Sequence, residues 1–307
     1  LARTVSSGYS CETGGKLHES NIPDRMGGNM RLTVLVDNNT LIDRYFIGEP
    51  GVSYFIEDEG KNILFDVGYS NAFILNAQKT RLNLFDIDWV VLSHGHLDHT
   101  WGLIPLIRLY TEGTLEGIHP KRPALVAHPL SLSSRTSRDL SEIGLLISKE
   151  KLSGYFDLKL SKKPLHLTDR LIFLGEIEKT HKFEGTESIG KIVNDGIEQE
   201  DFILDDSALV YKSPDGLVII TGCSHSGICN VVEYAKKVCG NRRILDIIGG
   251  FHLLNPSAEQ MDETMEYLKR LNPVSVHACH CTDLKSKIEL SKVLNLKEVG
   301  VGLTLEY

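Results

Sequence analysis

Within the six residues His94-Gly95-His96-Leu97-Asp98-His99 this chain places three imidazoles and a carboxylate, directly after the apolar run Trp89-Val90-Val91-Leu92. The run is short, aromatic and β-branched, so it reads as a buried strand that delivers Ser93 and the histidines into a loop. Alternate residues of an extended segment point to one side, which lets His94 and His96 face one cation while Asp98 and His99 turn toward a second. Imidazole nitrogen and carboxylate oxygen suit zinc, iron or manganese. Four such groups at this density therefore point to a metal site rather than to solvated loop histidines.

A chain of 307 residues can hold one large α/β domain or two. Its hydrophobic content of 41% and charged content of 24% exclude a disordered chain. A formal net charge of −8 argues against broad contact with a phosphate backbone, so a small molecule is the expected partner and nucleic acid is not. Homo-oligomerisation is left open. The cysteines at 11, 223, 229, 239, 279 and 281 come with neither a CxxC pair nor an N-terminal secretory stretch, so reduced thiols in a cytoplasmic protein are expected. No apolar run reaches the roughly 18 residues of a membrane span, and no membrane partner is expected.

Residues 1–30 are rich in Ser, Gly, Asn and charge without periodicity and read as a leader or flexible arm. From Arg31 the chain alternates as a strand, with Leu32, Val34 and Val36 on one side. A hairpin is expected from Gly51–Ile56 and Asn62–Asp66 around Glu57-Asp58-Glu59-Gly60-Lys61, and a helix from the spacing of Phe73, Ile74, Ala77 and Leu82. The stretch from Trp101 opens a second helix. Residues 113–170 read as an insertion in a single domain over 31–307, with Arg135 and Arg138 as candidates for an anion-binding lid. The second half repeats the strand logic in a hairpin turning at Lys212-Ser213-Pro214-Asp215-Gly216. Two strand–helix units follow, ending in Gly249-Gly250-Phe251-His252 and Cys279-His280-Cys281, with helices near 230–238, 257–271 and 283–293. Strands followed by helices in both halves imply a four-layer αββα sandwich of two mixed sheets with helices outside. Its strand ends would bring the ligand-type residues to one edge.

Two motifs, Leu64-Phe65-Asp66-Val67-Gly68 and Ser93-His94-Gly95-His96-Leu97-Asp98-His99, resemble the metallo-β-lactamase-fold hydrolase superfamily in order and spacing over nearly all of 31–307. Thr221-Gly222-Cys223-Ser224-His225, Gly249-Gly250-Phe251-His252 and His280-Cys281-Thr282 resemble a narrower subgroup, which includes the archaeal dihydropterin-ribofuranosylaminobenzene phosphate synthases. The resemblance implies two divalent metal ions, with zinc foremost and iron or manganese as alternatives. His94 and His96 would hold the first, Asp98 and His99 the second, and His280 would be the last ligand. The superfamily's third first-site histidine is replaced here by Asp205-Asp206-Ser207-Ala208, and His225 is the nearest substitute. Cys223 stands where relatives carry a bridging aspartate, as a thiolate ligand or as a neutral packing residue. Asp66 is a bridging or supporting carboxylate, Asp98 both ligand and proton acceptor, and His252 a ligand, a substrate-facing acid or a partner of another histidine. His181 reads as a surface or lid residue and His277 as a core one. The chemistry implied is hydrolysis of a small anionic phosphate or acyl substrate by an activated water. The alternatives are transfer between a pterin diphosphate and a ribosyl-aminobenzene phosphate, and a non-catalytic or redox iron-binding module.

Overall fold

The chain's structure is a computed structural model that describes residues 29–138, 140–194, 196–240 and 243–307. In chain order the elements are β1 (Arg31–Val36), β2 (Ser53–Asp58), β3 (Lys61–Phe65), α1 (Ala72–Thr80), β4 (Trp89–Val91), α2 (Leu97–Thr100), α3 (Leu103–Leu115), β5 (Ala124–Ala127), β6 (Ser134–Thr136), α4 (Lys149–Tyr155), β7 (Asp157–Leu160), β8 (Leu165–His166) and β9 (Leu171–Phe173). They continue with β10 (Lys191–Asn194), β11 (Ile197–Glu200), β12 (Ala208–Ser213), β13 (Gly216–Thr221), α5 (Ile228–Cys239), β14 (Ile244–Gly250), α6 (Ala258–Leu271), β15 (Ser275–Cys279), α7 (Leu284–Ser291) and β16 (Thr304–Glu306).

Seven strands in the order β16-β1-β2-β3-β4-β5-β7 form one sheet, and six in the order β15-β14-β13-β12-β9-β8 form another. Their facing sides close over an apolar interior that includes Leu32, Tyr54, Phe65 and Val91 from the first sheet and Phe173, Leu209, Val218 and Ile248 from the second. Outside the first sheet, Phe73 and Ala77 of α1 and Leu103 and Leu106 of α3 pack on Leu64, Val90 and Leu125. Outside the second, Val231 and Val232 of α5 and Leu268 of α6 pack on Val210, Ile219 and Ile247. The layers are thus αββα.

Each sheet is mixed, and its parallel part matters most for the site. β3, β4, β5 and β7 run parallel in one sheet, and β13, β14 and β15 in the other. Parallel strands present all their carboxyl ends at one edge, where connecting loops gather ligands. The loops after β4, β13, β14 and β15 carry His94, Cys223, His252 and His280 in turn.

Three expectations change. Val36 does not share a face with Leu32 and Val34, because a register shift between Val34 and Val36 turns it to the helix side, where it joins the outer core. Met30, expected within the leader or arm, is instead fully buried and exchanges backbone hydrogen bonds with Tyr307. The rest of the leader expectation, residues 1–28, lies outside the described residues. Residues 113–170 are not one insertion, since β5 and β7 are strands of the main sheet. Only the stretch between them departs from it, and its β6 pairs with the hairpin β10–β11 to make a small third sheet that the sequence pattern does not announce.

Candidate metal centre

The histidine loop leaves β4 at Ser93 and re-enters regular structure at α2, so its side chains are held at both ends. Asp66, at the end of β3, is the hub of the arrangement. Its Oδ1 accepts from the Ser93 backbone N–H at 2.7 Å, and its Oδ2 accepts from the Ser93 hydroxyl at 2.7 Å and lies 2.7 Å from His99 Nδ1. The Ser93 hydroxyl spends its one hydrogen on Asp66, so Oγ is the acceptor toward His94 Nδ1 at 2.9 Å. With an acceptor beside each Nδ1, both imidazoles offer Nε2 to the ligand cluster, the arrangement a metal ligand requires. Asp66 is thus an orienting carboxylate rather than a bridge.

His280 is held in the same way from the other sheet. Asp37 accepts from its backbone N–H at 3.0 Å, and Asn38 Oδ1 lies 3.0 Å from its Nδ1. Its Nε2 then faces Cys223 Sγ at 3.2 Å and Asp98 Oδ2 at 3.3 Å. His99 Nε2 completes this side, 3.2 Å from Cys223 Sγ and 3.5 Å from Asp98 Oδ2. On the other side His94 Nε2 and His96 Nδ1 are 3.0 Å apart, and the His225 ring lies 4.7 Å and 4.8 Å from theirs, centroid to centroid. Two ligand-competent groups result, His94, His96 and His225 in one and Asp98, His99 and His280 in the other, with Cys223 beside both His94 and His99.

The donor set fits divalent cations on two further counts. Buried polar atoms are normally partnered, yet His96 Nε2 and both ring nitrogens of His225 are buried without a hydrogen-bond partner. The electrostatics also favour neutral imidazoles on the first side. Burial, and then the neighbouring imidazoles, push His94 and His225 well below the usual histidine range. Burial and the Arg135 guanidinium take His96 down to about 4. On the second side burial alone would raise the Asp98 carboxyl, but His99 and His280 outweigh it and hold Asp98 well below its ordinary value. Burial opposes the charge on His99, which Asp98 and Asp66 nevertheless push up to about 10, so a cation there takes the place of a proton. Burial pushes the Cys223 thiol up, and a thiolate at that position requires a cation beside it.

Part of the backbone strain falls at the same place. Asp66, Ser224, His252 and His280 all adopt positive φ, between 50° and 63°, a region that costs a non-glycine residue about 1–3 kcal/mol. At His280 this conformation lets two successive side chains, His280 and Cys281, both face the ligand cluster.

Arg135 is not a lid residue. It is fully buried on β6, with Nε 2.7 Å from Asp201 and Nη2 2.5 Å from Asp205, because the small sheet folds it beneath the histidine loop. Asp205 in turn accepts from the Gly95 backbone N–H at 2.8 Å, and a Cβ on Gly95 would lie 1.8 Å from Arg135 Nη1. The aspartate that replaces the superfamily histidine thus supports the loop from below. Arg138 is exposed on the turn after β6.

His225 and His252 open onto a cleft of about 520 Å³, lined by Phe183, Ile189 and Ile203 on its apolar side and by Glu184, Glu187 and Gln260 among its polar groups. A larger cleft of about 710 Å³ lies away from the ligands, between α5 and α6, and holds His181, whose ring packs on Tyr267. His277 is an internal partner of Asp246, 2.8 Å away, and Cys279 is buried between the sheets against Tyr54. Cys223, Cys229, Cys279 and Cys281 are free thiols, and Cys11 lies outside the described residues. Sequence reasoning missed Asp37, Asn38, Ser93 and Asp205 as orienting groups. Only the adjacency of Ser93 to the motif was a visible signal.

Glu184 gives the site a pH signature. Its carboxylate caps the start of α5, accepting from Asn230 N–H at 2.7 Å, and burial raises it from 4.5 to about 7. A raised carboxyl stabilises the fold fully below its unfolded value and loses that contribution as pH climbs through the folded value. Relative to Glu184→Gln, the wild type is expected to lose up to about 3 kcal/mol between pH 4.5 and 8. Urea unfolding of both proteins across that range checks this, and a pH-independent difference would contradict it.

Residues 47–236 match the family described as the metallo-beta-lactamase superfamily. The chain is 31% identical over 280 residues to the 7,8-dihydropterin-6-methyl-4-(beta-D-ribofuranosyl)-aminobenzene-5'-phosphate synthase of Methanocaldococcus jannaschii, across 84% of this chain and 90% of that one. An uncharacterised protein of the same organism is 32% identical over 276 residues, covering 88% and 98%. Among solved structures, a metal-dependent hydrolase of the beta-lactamase superfamily superposes with a TM-score of 0.76 at 26% identity, over 91% of this chain and 99% of that one. The metallo-beta-lactamase fold protein YhfI from Bacillus subtilis, at 14% identity and a TM-score of 0.53 over 91% of this chain and 100% of that one, shares the fold. With the family match running through the histidine loop, and a named relative aligned over most of both chains, this chain belongs to the metallo-β-lactamase superfamily.

Proposed function

We propose that the chain is a dinuclear metal-dependent hydrolase of a small anionic substrate, a phosphate or acyl ester. The observation that carries this reading is the pair of adjacent ligand groups sharing one loop, with His225 of the first group opening onto the 520 Å³ cleft. Two divalent ions, zinc foremost and iron or manganese as alternatives, would supply Lewis acidity and a water acidified toward neutrality. His94, His96 and His225 would hold one, and Asp98, His99 and His280 the other. Asp66 and Asn38 would keep the imidazoles in the binding tautomer, and Asp98 would serve both as ligand and as proton acceptor.

His252 projects into the cleft beside His225, with ring centroids 4.2 Å apart. Burial works to lower its imidazole, but the Cys281 thiol and then the Asp206 and Glu187 carboxylates outweigh burial and raise it. That is the direction a proton donor to a leaving group needs. Neither lysine nor arginine lines this cleft, so a substrate's negative charge would be met at the cations and its uncharged part by the walls. Net charge and cleft shape support a small molecule over nucleic acid, and free thiols support the cytoplasm as the compartment.

Exhaustive chelation is expected to abolish cleavage of an activated phosphate or acyl ester, with recovery on adding zinc or ferrous iron. Undiminished turnover by the metal-depleted protein would overturn the reading. The named synthase, aligned over 84% of this chain, favours a second reading: transfer between a pterin diphosphate and a ribosyl-aminobenzene phosphate. Incubation with both compounds separates the two readings, since a transferase joins them and a hydrolase cleaves one alone.

A further inference from the structure

We propose that Cys223 and Cys281 act together as a sulfur pair for the second metal position, which makes that position selective for a thiophilic ion such as zinc or ferrous iron over manganese or magnesium. The inference rests on the dinuclear reading and adds a ligand, Cys281, that the histidine–carboxylate set does not contain. Cys223 Sγ, Cys281 Sγ and a ring nitrogen of His280 all lie within 4.8 Å of one another. Ligands around a tetrahedral zinc, with bonds of about 2.0–2.3 Å, stand roughly 3.3–3.8 Å apart. The 3.2 Å from Cys223 Sγ to each of His99 Nε2 and His280 Nε2 is close to that spacing.

Local structure brings the second sulfur in. Positive φ at His280 turns Cys281 to the same side as the histidine. Space for it exists only because residue 250 is glycine, since a Cβ there would lie 2.6 Å from Cys281 Sγ and 3.2 Å from Cys223 Cα. As a thiol Cys281 donates to the Cys223 carbonyl oxygen at 3.3 Å, a bond given up when its proton leaves, and it accepts the His252 backbone N–H at 3.3 Å, the kind of outer hydrogen bond that supports a coordinated thiolate. Each thiol releases one proton as its sulfur binds the cation, with no change of oxidation state. Soft sulfur donors select zinc and iron, whereas manganese and magnesium prefer oxygen. The all-imidazole first position imposes no such choice.

Cadmium titration of the metal-free, reduced full-length chain tests the pair, because sulfur-to-cadmium absorption counts bound thiolates. The wild type should bind two ions with about twice the sulfur absorption of Cys281→Ser or Cys223→Ser, and Cys279→Ser should match the wild type. Manganese should reach one ion per chain where zinc reaches two. A readout free of variants accompanies this: zinc should protect Cys281 of the wild type from iodoacetamide by at least tenfold in rate. Equal absorption in Cys281→Ser, unprotected Cys281 in zinc-loaded protein, or a Cys223–Cys281 disulfide in the active protein would overturn the pair. Failure to bind two ions of any metal would instead overturn the dinuclear reading beneath it.

Discussion

Arg135→Met is expected to lower the stability of the fold by about 3–5 kcal/mol, the usual consequence of removing one partner from a buried ion cluster. The side chain is fully buried, and its loss would leave Asp201 and Asp205 as uncompensated carboxylates beneath the histidine loop. The same change should disturb the first metal position. Asp205 holds the Gly95 N–H, and Gly95 lies between His94 and His96, so a carboxylate that moves to find solvent takes the loop with it. Arg135→Lys keeps the charge without the two-pronged geometry and should fall between the wild type and the methionine variant. Adding Asp201→Asn and Asp205→Asn to Arg135→Met removes the stranded charges and should recover part of the loss. Chemical denaturation together with metal analysis reads both effects. A methionine variant within 1 kcal/mol of wild type would show that the cluster does not hold the loop.

Asp98→Asn is the second large effect, and it separates function from stability. Asp98 stands between His99 and His280 at 3.5 Å and 3.3 Å, and its carboxylate is the one anionic oxygen ligand of the second group. Loss of a ligand that positions a Lewis acid removes several kcal/mol of transition-state stabilisation, and about 4 kcal/mol corresponds to roughly 10³-fold in kcat/KM. Stability should change little, because the asparagine occupies the same volume and the Asp98 side chain is 25% exposed. Steady-state kinetics and ion stoichiometry on one preparation are sufficient. The expected result is a drop from two bound ions to one with a folded protein, and activity within tenfold of wild type would remove Asp98 from the site.

Much of the architecture was legible before any coordinates, because hydrophobic periodicity is a local property. The hairpin read at residues 51–66 is β2–β3, the helices read near 230–238, 257–271 and 283–293 are α5, α6 and α7, and the αββα layering follows from the strand–helix recurrence. The departures also have local physical causes. Val36 changes face because a bulge adds one residue to the alternation, and alternation alone carries no signal for a bulge. The third sheet stayed hidden because β6 is three residues long and pairs with β10, more than fifty positions away.

For the site, density and order of ligand-type residues were enough to single out His94, His96, Asp98 and His99, and the resemblance added His225 and His280. Arg135 shows the limit of that reasoning. In a stretch with Arg138, Lys149 and Lys151 it reads as one more solvated or anion-seeking cation, yet the fold buries it completely and pairs it with two carboxylates. What the sequence by itself determined was the inventory: a strand-borne ligand cluster, the sheet-and-helix recurrence and the presence of further His and Cys residues at later strand ends. Only the tertiary structure decided which nitrogens face the ligand cluster, through Asp66, Ser93 and Asn38, and which sulfur lies beside which imidazole, through His280 and Gly250. The reason is physical. A ligand's type is written in one residue, but its tautomer, direction and neighbours are set by hydrogen bonds and close contacts between segments up to two hundred and forty-three positions apart.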